Sequence, residues 1–473
     1  MASRGVLALD QGGHASRAMV FDQHGKILAN AERRIATRRI RTAKVEHSPI
    51  ALLRSLQDAA EVALKALPRG TEIEAAALAT QRSSIACWDR ESGRPLSPVI
   101  SWQDRRAARQ VATLAKRSAR VTELTGLVLS PHYGATKLAW CLKNLPAVRK
   151  AHRAGHLAAG PLASFAIAGL LEAHPCLADP VNGARTQLID IGRGDWSEEL
   201  CRLFGIPEAI LPRCVPNHHP FGELNVGGRA IPFTVVTGDQ PAALFADGEP
   251  QPDVAYMNVG TGAFVQCLSE RRVPGLLRSV LWRDAQRTLY ALEGTVNGAG
   301  SALDAMGKKL GLDVVRMMRA LPGWLDATQE PPLFLNGIGG LGAPYWRPGF
   351  PSRFIGKGEA QHRIVAVTES IVFLLLENLV RMQEAGLSFT KLRLSGGLAL
   401  LDGLCQRMAD LSALPVERPR LHEATALGLA RLAGGAAEMR PADCSHFEPA
   451  SRPVLAARRR RWQAELHAAL EAG

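Results

Sequence analysis

Apolar residues fall in short runs at the start of the chain, and the polar positions between them mark turns. VLALD, RAMVFD and ILANAERRI are strand-length runs, separated by Gly12–Gly13 and by DQHGK. SPIALLRSLQDAAEVALKAL carries apolar residues at helical spacing, with Ser48 and Pro49 as its start signal. EIEAAALAT reads as a buried strand, and IACWD and PLSPVISW as further strands. From about Arg105 to Glu223 the pattern predicts mainly helix with loops. IPFTVVTGDQPAALFADG is a β-branched strand running into Gly238–Asp239–Gln240 and a helix, and GEPQPDV after it reads as a linker.

The second half opens as the first does. VAYMNVGTGAFVQCLSE is strand, glycine turn and strand, with Gly260–Thr261–Gly262 at its tip. TLYALEGTVNGAG is strand-rich, KLRLSGGLALL is a strand ending in Gly396–Gly397, and ESIVFLLLENLVRMQEAG between them predicts an amphipathic helix. AARRRRWQAELHAAL predicts a final helix whose arginines form an exposed face, with Trp462 and Leu466 on the buried side. The duplicated hairpins predict two related α/β domains facing each other, residues 1–242 and 243–473.

Composition narrows the class. The 473 residues are 47% hydrophobic and 21% charged, enough for ordinary cores. No uninterrupted apolar run reaches about 18 residues, so no membrane span is expected. MASRGVLALD lacks a long apolar core, so no signal peptide is expected. The 8 cysteines are scattered without a C-x-x-C pair, which predicts reduced thiols, no zinc site and a cytoplasmic protein. The net charge of +13 is spread along the chain with acidic residues interspersed, so no nucleic-acid partner is expected.

The hairpin tips suggest chemistry. A turn of glycines lets backbone N–H groups approach phosphate oxygens closely. Neither tip matches G-x-x-x-x-G-K-[ST] or G-x-G-x-x-G. Two such tips with Gly396–Gly397 would clamp a polyphosphate from both sides. Asp10, at the end of the first run, would then hold Mg²⁺ against the phosphates through water; capping its own turn is the equal alternative.

LALDQGGHASRAMVFDQHGKILA, ATQRSSIACWDRESGRPLSPVISWQDRR, VVTGDQPAALF, NVGTGAF, LYALEGTVNGAGSAL, GLGAPYWRPG and LSGGLALLDGL form an ordered series. It resembles the motif series of the FGGY carbohydrate kinases, from Val6 to about Gly434, and SWQDRR and GLGAPYW are specific for the glycerol kinase branch. The resemblance implies two actin-like, ribonuclease-H-like domains around a cleft for ATP, closing about a hinge near Pro241–Gly248. It implies a phosphotransferase using ATP and Mg²⁺ on a small polyol or sugar, and a homodimer.

By the same resemblance Asp239 is the catalytic base, although Gly-Asp-Gln taken alone reads as a helix N-cap. Gln240 and Arg82 would contact substrate hydroxyls, and Trp102 would pack on the substrate's carbon backbone, with Gln103 and Asp104 lining the pocket. Arg17 and Thr261 would contact phosphate, and Gly300 and Gly397 would lie near the nucleotide.

Departures from the family cluster at these positions. The first loop has Gly12, Gly13 and His14 where the family has glycine and two threonines; His14 would either donate to phosphate or point to solvent. Ser83 stands in place of a substrate-binding acid, and His132, followed by Tyr133, in place of a tyrosine. Asp304 replaces a glutamine near the adenine, and Ser395 to Leu401 replace D-G-G-A-x-x-N. These changes point to a polyol other than glycerol. The alternatives are a glycerol kinase with a divergent pocket, or a relative that binds a ligand without phosphorylating it.

Overall fold

A computed structural model describes residues 4–40, 43–328, 330–420, 423–434, 439 and 443–472. The backbone divides into two compact units that are not contiguous in sequence. The first holds Met1–Pro250, Ser279–Tyr290 and His422–Pro441; the second holds Gln251–Arg278, Ala291–Leu421 and Ala442–Gly473.

The first unit is built on a six-stranded sheet in the order His218–Val226, Arg229–Gly238, Glu72–Thr80, Arg4–Gln11, Ala15–Asp22, Ile27–Arg34. Its three central strands are parallel, and their registers align Gln11 with Thr80 and Thr80 with Gly238. The chain therefore leaves the sheet at three adjacent points on one edge, into Gly12–Gly13, Gln81–Ser83 and Asp239–Gln240. The carboxyl ends of parallel strands are where such sheets bind ligands.

The helix Pro49–Lys65 begins as its sequence predicts. The Ser48 hydroxyl accepts from the Ala51 N–H at 3.3 Å, Pro49 occupies the first turn, and Leu52, Leu56, Ala59, Ala60 and Ala63 form the buried face. A second sheet of five short strands runs Arg38–Ile40, Lys44–His47, Val99–Ile100, Ile85–Asp89, Leu157–Pro161. Ile85 pairs with Ile100, which seats the residues before one strand beside those after the other, and the Trp102 N–H donates to the Ser84 hydroxyl at 3.0 Å.

The sheet of the second unit includes, in order, Thr288–Val296, Ala263–Leu268, Val254–Val259, Lys391–Ser395, Val416–Pro419 and Cys444–Phe447. The helix Ala360–Glu384 is not amphipathic as the pattern suggests. Every residue from Ile364 to Leu376 is buried, including Glu369. The covering layer includes the final helix, Pro453–Glu471, where Trp462 and Leu466 are fully buried and the Trp462 indole donates to the Phe334 carbonyl at 2.8 Å. One arginine of the RRRR run turns inward: Arg458 is buried and pairs with Glu369 at 2.5 Å. A buried carboxylate needs such a partner. Among the described residues, no helix is long and apolar enough to cross a membrane.

Candidate active site

Asp10 is the penultimate residue of the first strand, buried, with Arg17 opposite it across the hairpin; the Arg17 guanidinium lies 3.7 Å from the Asp10 carboxylate. The turn itself is closed by the Gly12 N–H donating to the Ala15 carbonyl at 3.0 Å, so backbone rather than Asp10 does the capping. Arg17 also pairs with Glu32 at 2.9 Å and lies 4.0 Å from Glu423. Burial pushes the Asp10 carboxyl up to about 7; the charge of Asp239 adds to the rise and Arg17 opposes it. The two aspartates therefore share one electrostatic environment. His14 is exposed at the tip.

Asp239 is the first residue of the short helix Asp239–Leu244, with Gly238 at the N-cap position. Its carboxylate accepts from the Gln240 N–H at 2.8 Å. Burial raises its pKa, and Arg82, then the Gln240 N–H and Arg185 hold it down. Arg82 donates to the Gln240 side-chain oxygen, and Arg185 donates to the Ser279 hydroxyl at 2.9 Å. The helix Ala424–Gly434 supports this junction: the Thr425 hydroxyl donates to the Asp239 carbonyl at 3.3 Å, and a Cβ on Gly428 would sit 1.8 Å from the Ala242 carbonyl oxygen.

Ser83 is buried, its hydroxyl has no hydrogen-bond partner among the described residues, and its φ of +63° lies in the left-handed region. The Trp102 ring lies 5.5 Å from that of His132, which in turn meets Tyr133 edge-on at 5.0 Å. Burial, reinforced by Lys137, Arg105, Arg185 and Arg82, holds His132 well below the usual imidazole range, so it is neutral near pH 7. Two expected pocket residues are committed elsewhere. The Asp104 carboxylate accepts from the Val45 N–H at 2.7 Å and from Arg106 at 2.7–2.9 Å, and the Gln103 side-chain oxygen accepts from Arg39 at 2.6 Å. Asp104 is a structural anchor because a fully buried carboxylate must have its lone pairs filled.

The second unit gathers its own glycine set. The Gly260–Thr261–Gly262 tip is closed by the Gly260 N–H donating to the Gly262 carbonyl at 2.9 Å. The start of the helix Gly300–Lys309 clasps that tip: the Gly300 N–H donates to the Gly260 carbonyl at 2.9 Å, and the Ser301 N–H to the Thr261 carbonyl at 3.0 Å. Gly396 has φ +91°, and a Cβ there would lie 2.7 Å from the Val259 carbonyl oxygen. Gly397 faces open space and Asp304 is exposed. Leu401 is buried in the core, while Leu400 is 70% exposed.

Lys137, Arg185 and Glu423 were not legible as site residues in the sequence. Lys137 alone left a signal, as one charge on the otherwise apolar face of GATKLAWCLKN. Among the described residues no three His, Cys, Asp or Glu side chains gather as a metal site. The carboxylates that act on one another here are Asp10, Asp239 and Glu423, the last beside Arg17.

Two family models match the chain. The N-terminal domain of the FGGY family of carbohydrate kinases spans residues 5–246, and the C-terminal domain spans 255–437. A glycerol kinase of Trichlorobacter lovleyi is 37% identical over 91% of this chain and 89% of its own. One of Symbiobacterium thermophilum is 35% identical over the same shares. Among solved structures, Plasmodium falciparum glycerol kinase with ADP superposes with a TM-score of 0.89 over 99% of this chain and 98% of its own, at 24% identity. Lactobacillus acidophilus xylulose kinase gives 0.84 over 99% of each chain, at 19%. The fold is thus the expected pair of actin-like, ribonuclease-H-like α/β domains. With both family models matched and relatives similar along nearly its whole length, this chain belongs to the FGGY family of carbohydrate kinases and is a phosphotransferase.

Proposed function

We propose that the enzyme moves the γ-phosphoryl group of ATP to a hydroxyl of a small polyol or sugar, in a pocket not optimised for glycerol. The observation that carries this reading is that Asp10 and Asp239 lie at the same end of one sheet, at the ends of the two strands that flank Glu72–Thr80, where Asp239 acts electrostatically on Asp10 and each carboxylate feels an arginine. Asp239 takes the proton of the acceptor hydroxyl as its oxygen bonds to the γ-phosphorus; the bond from that phosphorus to the β,γ-bridging oxygen breaks, and ADP leaves with the electron pair. A carboxyl raised by burial is a stronger base than an exposed one. Arg82 and Gln240 orient the acceptor, and Trp102 and His132 supply flat walls for its C–H faces.

A buried carboxylate, Asp10, whose charge is disfavoured by the half-buried carboxylate of Asp239, fits a hard divalent cation, which takes one or two carboxylates and fills its other positions with water and phosphate. Asp10 would hold Mg²⁺, which neutralises phosphate charge when bound. In the first unit Arg17, Gly12 and Gly13 would contact phosphate, and in the second unit Gly260, Thr261, Gly262 and Gly300 are the candidates for phosphate contact. Gly396, Gly397 and Asp304 would lie toward the base and ribose. Ser83, where the family has an acid, leaves both room and an unsatisfied hydroxyl, which supports a larger or differently hydroxylated acceptor.

An ADP-release assay over glycerol, erythritol, xylitol and sorbitol, with sugars alongside, tests this. Turnover of a longer polyol above glycerol is the expected result, and no turnover of any acceptor by folded protein overturns it. A preference for glycerol would establish the second reading, a glycerol kinase with a divergent pocket, which the 37%-identical relative favours.

A further inference from the structure

Lys137 lies in the helix Gly134–Asn144 with none of its surface exposed. Among the described residues it forms no ion pair. Its ammonium instead donates to three main-chain carbonyls: Ser83 at 3.1 Å, Ser101 at 3.0 Å and His132 at 2.6 Å. A lysine ammonium has three donors and no acceptor, so these carbonyls saturate it.

The three carbonyls belong to three separate stretches of chain. One follows the strand Glu72–Thr80 and carries Arg82 and Ser83. One follows Val99–Ile100 and carries Trp102. The third leads into the lysine's own helix and carries His132. Each is an irregular segment whose path no sheet ladder dictates. Ser83 in particular holds a left-handed φ without being glycine, a conformation that persists only where the surroundings over-determine it. A methionine would fill the same space without burying a charge, so packing alone does not account for a lysine here.

We propose that Lys137 is the positioning residue of the acceptor pocket, tying the Arg82–Ser83, Trp102 and His132 segments to one point. The inference rests on the reading of those side chains as acceptor-binding groups. Lys137 touches neither substrate nor nucleotide; it acts through the three carbonyls. Burial pushes its pKa well below the usual lysine range, Arg105 adds to this and Asp104 opposes it.

The test is Lys137→Met, which keeps an unbranched stem and removes all three donors. Steady-state kinetics would use the best acceptor of the polyol panel, with ATP and Mg²⁺. Misplaced binding groups should raise the acceptor KM about tenfold or more. The KM for ATP and the acceptor-independent ATP hydrolysis should stay within about twofold, since Lys137 bonds none of the phosphate-facing residues. Hydrogen exchange should quicken in peptides covering 81–85, 100–103 and 130–134 and remain unchanged over 254–268. An unchanged acceptor KM, or an equal fall in every parameter with exchange quickened throughout, would overturn the proposal while leaving the proposed function standing. No turnover by the wild-type enzyme would defeat both. If Lys137→Met does not fold, Lys137→Gln, a shorter neutral stem that keeps an amide donor, takes its place; the same changes in acceptor KM and hydrogen exchange support the proposal, and the same absence of change overturns it.

Discussion

A substitution at Gly428 displaces the catalytic geometry without touching a site residue. Its helix, Ala424–Gly434, lies against the helix that Asp239 begins, and a Cβ at 428 would stand 1.8 Å from the Ala242 carbonyl oxygen and 2.7 Å from the Ala242 carbonyl carbon. Real Cβ contacts do not fall below 3.0 Å, so Gly428→Ala must part the two helices by about 1.2 Å. The three nearest neighbours of that Cβ are all backbone atoms, so no side chain can swing away to absorb the clash. Ala242 is three residues from Asp239, and the Thr425 hydroxyl on the moving helix holds the Asp239 carbonyl. A displacement of about 1 Å at a reacting group costs up to about 100-fold in rate. The expected outcome is a kcat reduced by about that factor at saturating acceptor and ATP. Overpacking should also destabilise the first unit by about 1–3 kcal/mol. The assay is ADP release at saturation, with thermal melting of the same preparation to establish that the variant is folded. A variant with wild-type kcat and wild-type melting temperature would refute the argument that this contact positions Asp239.

Asp239→Asn should lower kcat by about 100- to 10,000-fold while acceptor binding, followed by calorimetry, persists; retained turnover would remove Asp239 from the base role. Gly396→Ala places a side chain at φ +91° and against the Val259 backbone, so the KM for ATP should rise about tenfold or more at unchanged acceptor KM, and an unaltered ATP KM would exclude Gly396 from the nucleotide site. Burial pushes the Asp179 carboxyl from its ordinary 3.8 up to about 6. Between those values the folded chain keeps a proton that the unfolded chain has released, so stability from this group is full below about pH 4 and is lost as pH rises through about 6, by about 3 kcal/mol. Denaturant melts of wild type and Asp179→Asn should therefore diverge in that window, the wild type losing ground as pH rises; a constant difference would show that Asp179 is not the responsible group.

The local features of this protein are written in its local sequence. Strands, hairpin tips, the Ser48–Pro49 helix start and the strand-to-helix junction at Asp239 all depend on a few neighbouring residues, so period and turn chemistry reveal them. The motif series likewise named the family. Neighbour patterns say nothing about what covers the far side of an element. That is why the helix Ala360–Glu384 read as amphipathic and proved buried on every side from Ile364 to Leu376, and why Arg458 read as solvent-facing and proved to be the partner of Glu369.

Three-dimensional arrangement alone determined how the site is assembled. The registers that align Gln11, Thr80 and Gly238 bring Asp10, Arg82 and Asp239 to one sheet edge from positions more than 150 residues apart at the extremes. The same holds for Glu423 and Gly428, which return from the far end of the chain to the first unit. It holds also for Lys137, a single charge whose meaning lies in the three carbonyls around it. Propensity and pattern act over a turn of helix or a strand pair, whereas electrostatic coupling and backbone anchoring act between whatever surfaces the fold makes adjacent. Chemistry-bearing residues could therefore be named from the sequence, but their partners only from the fold.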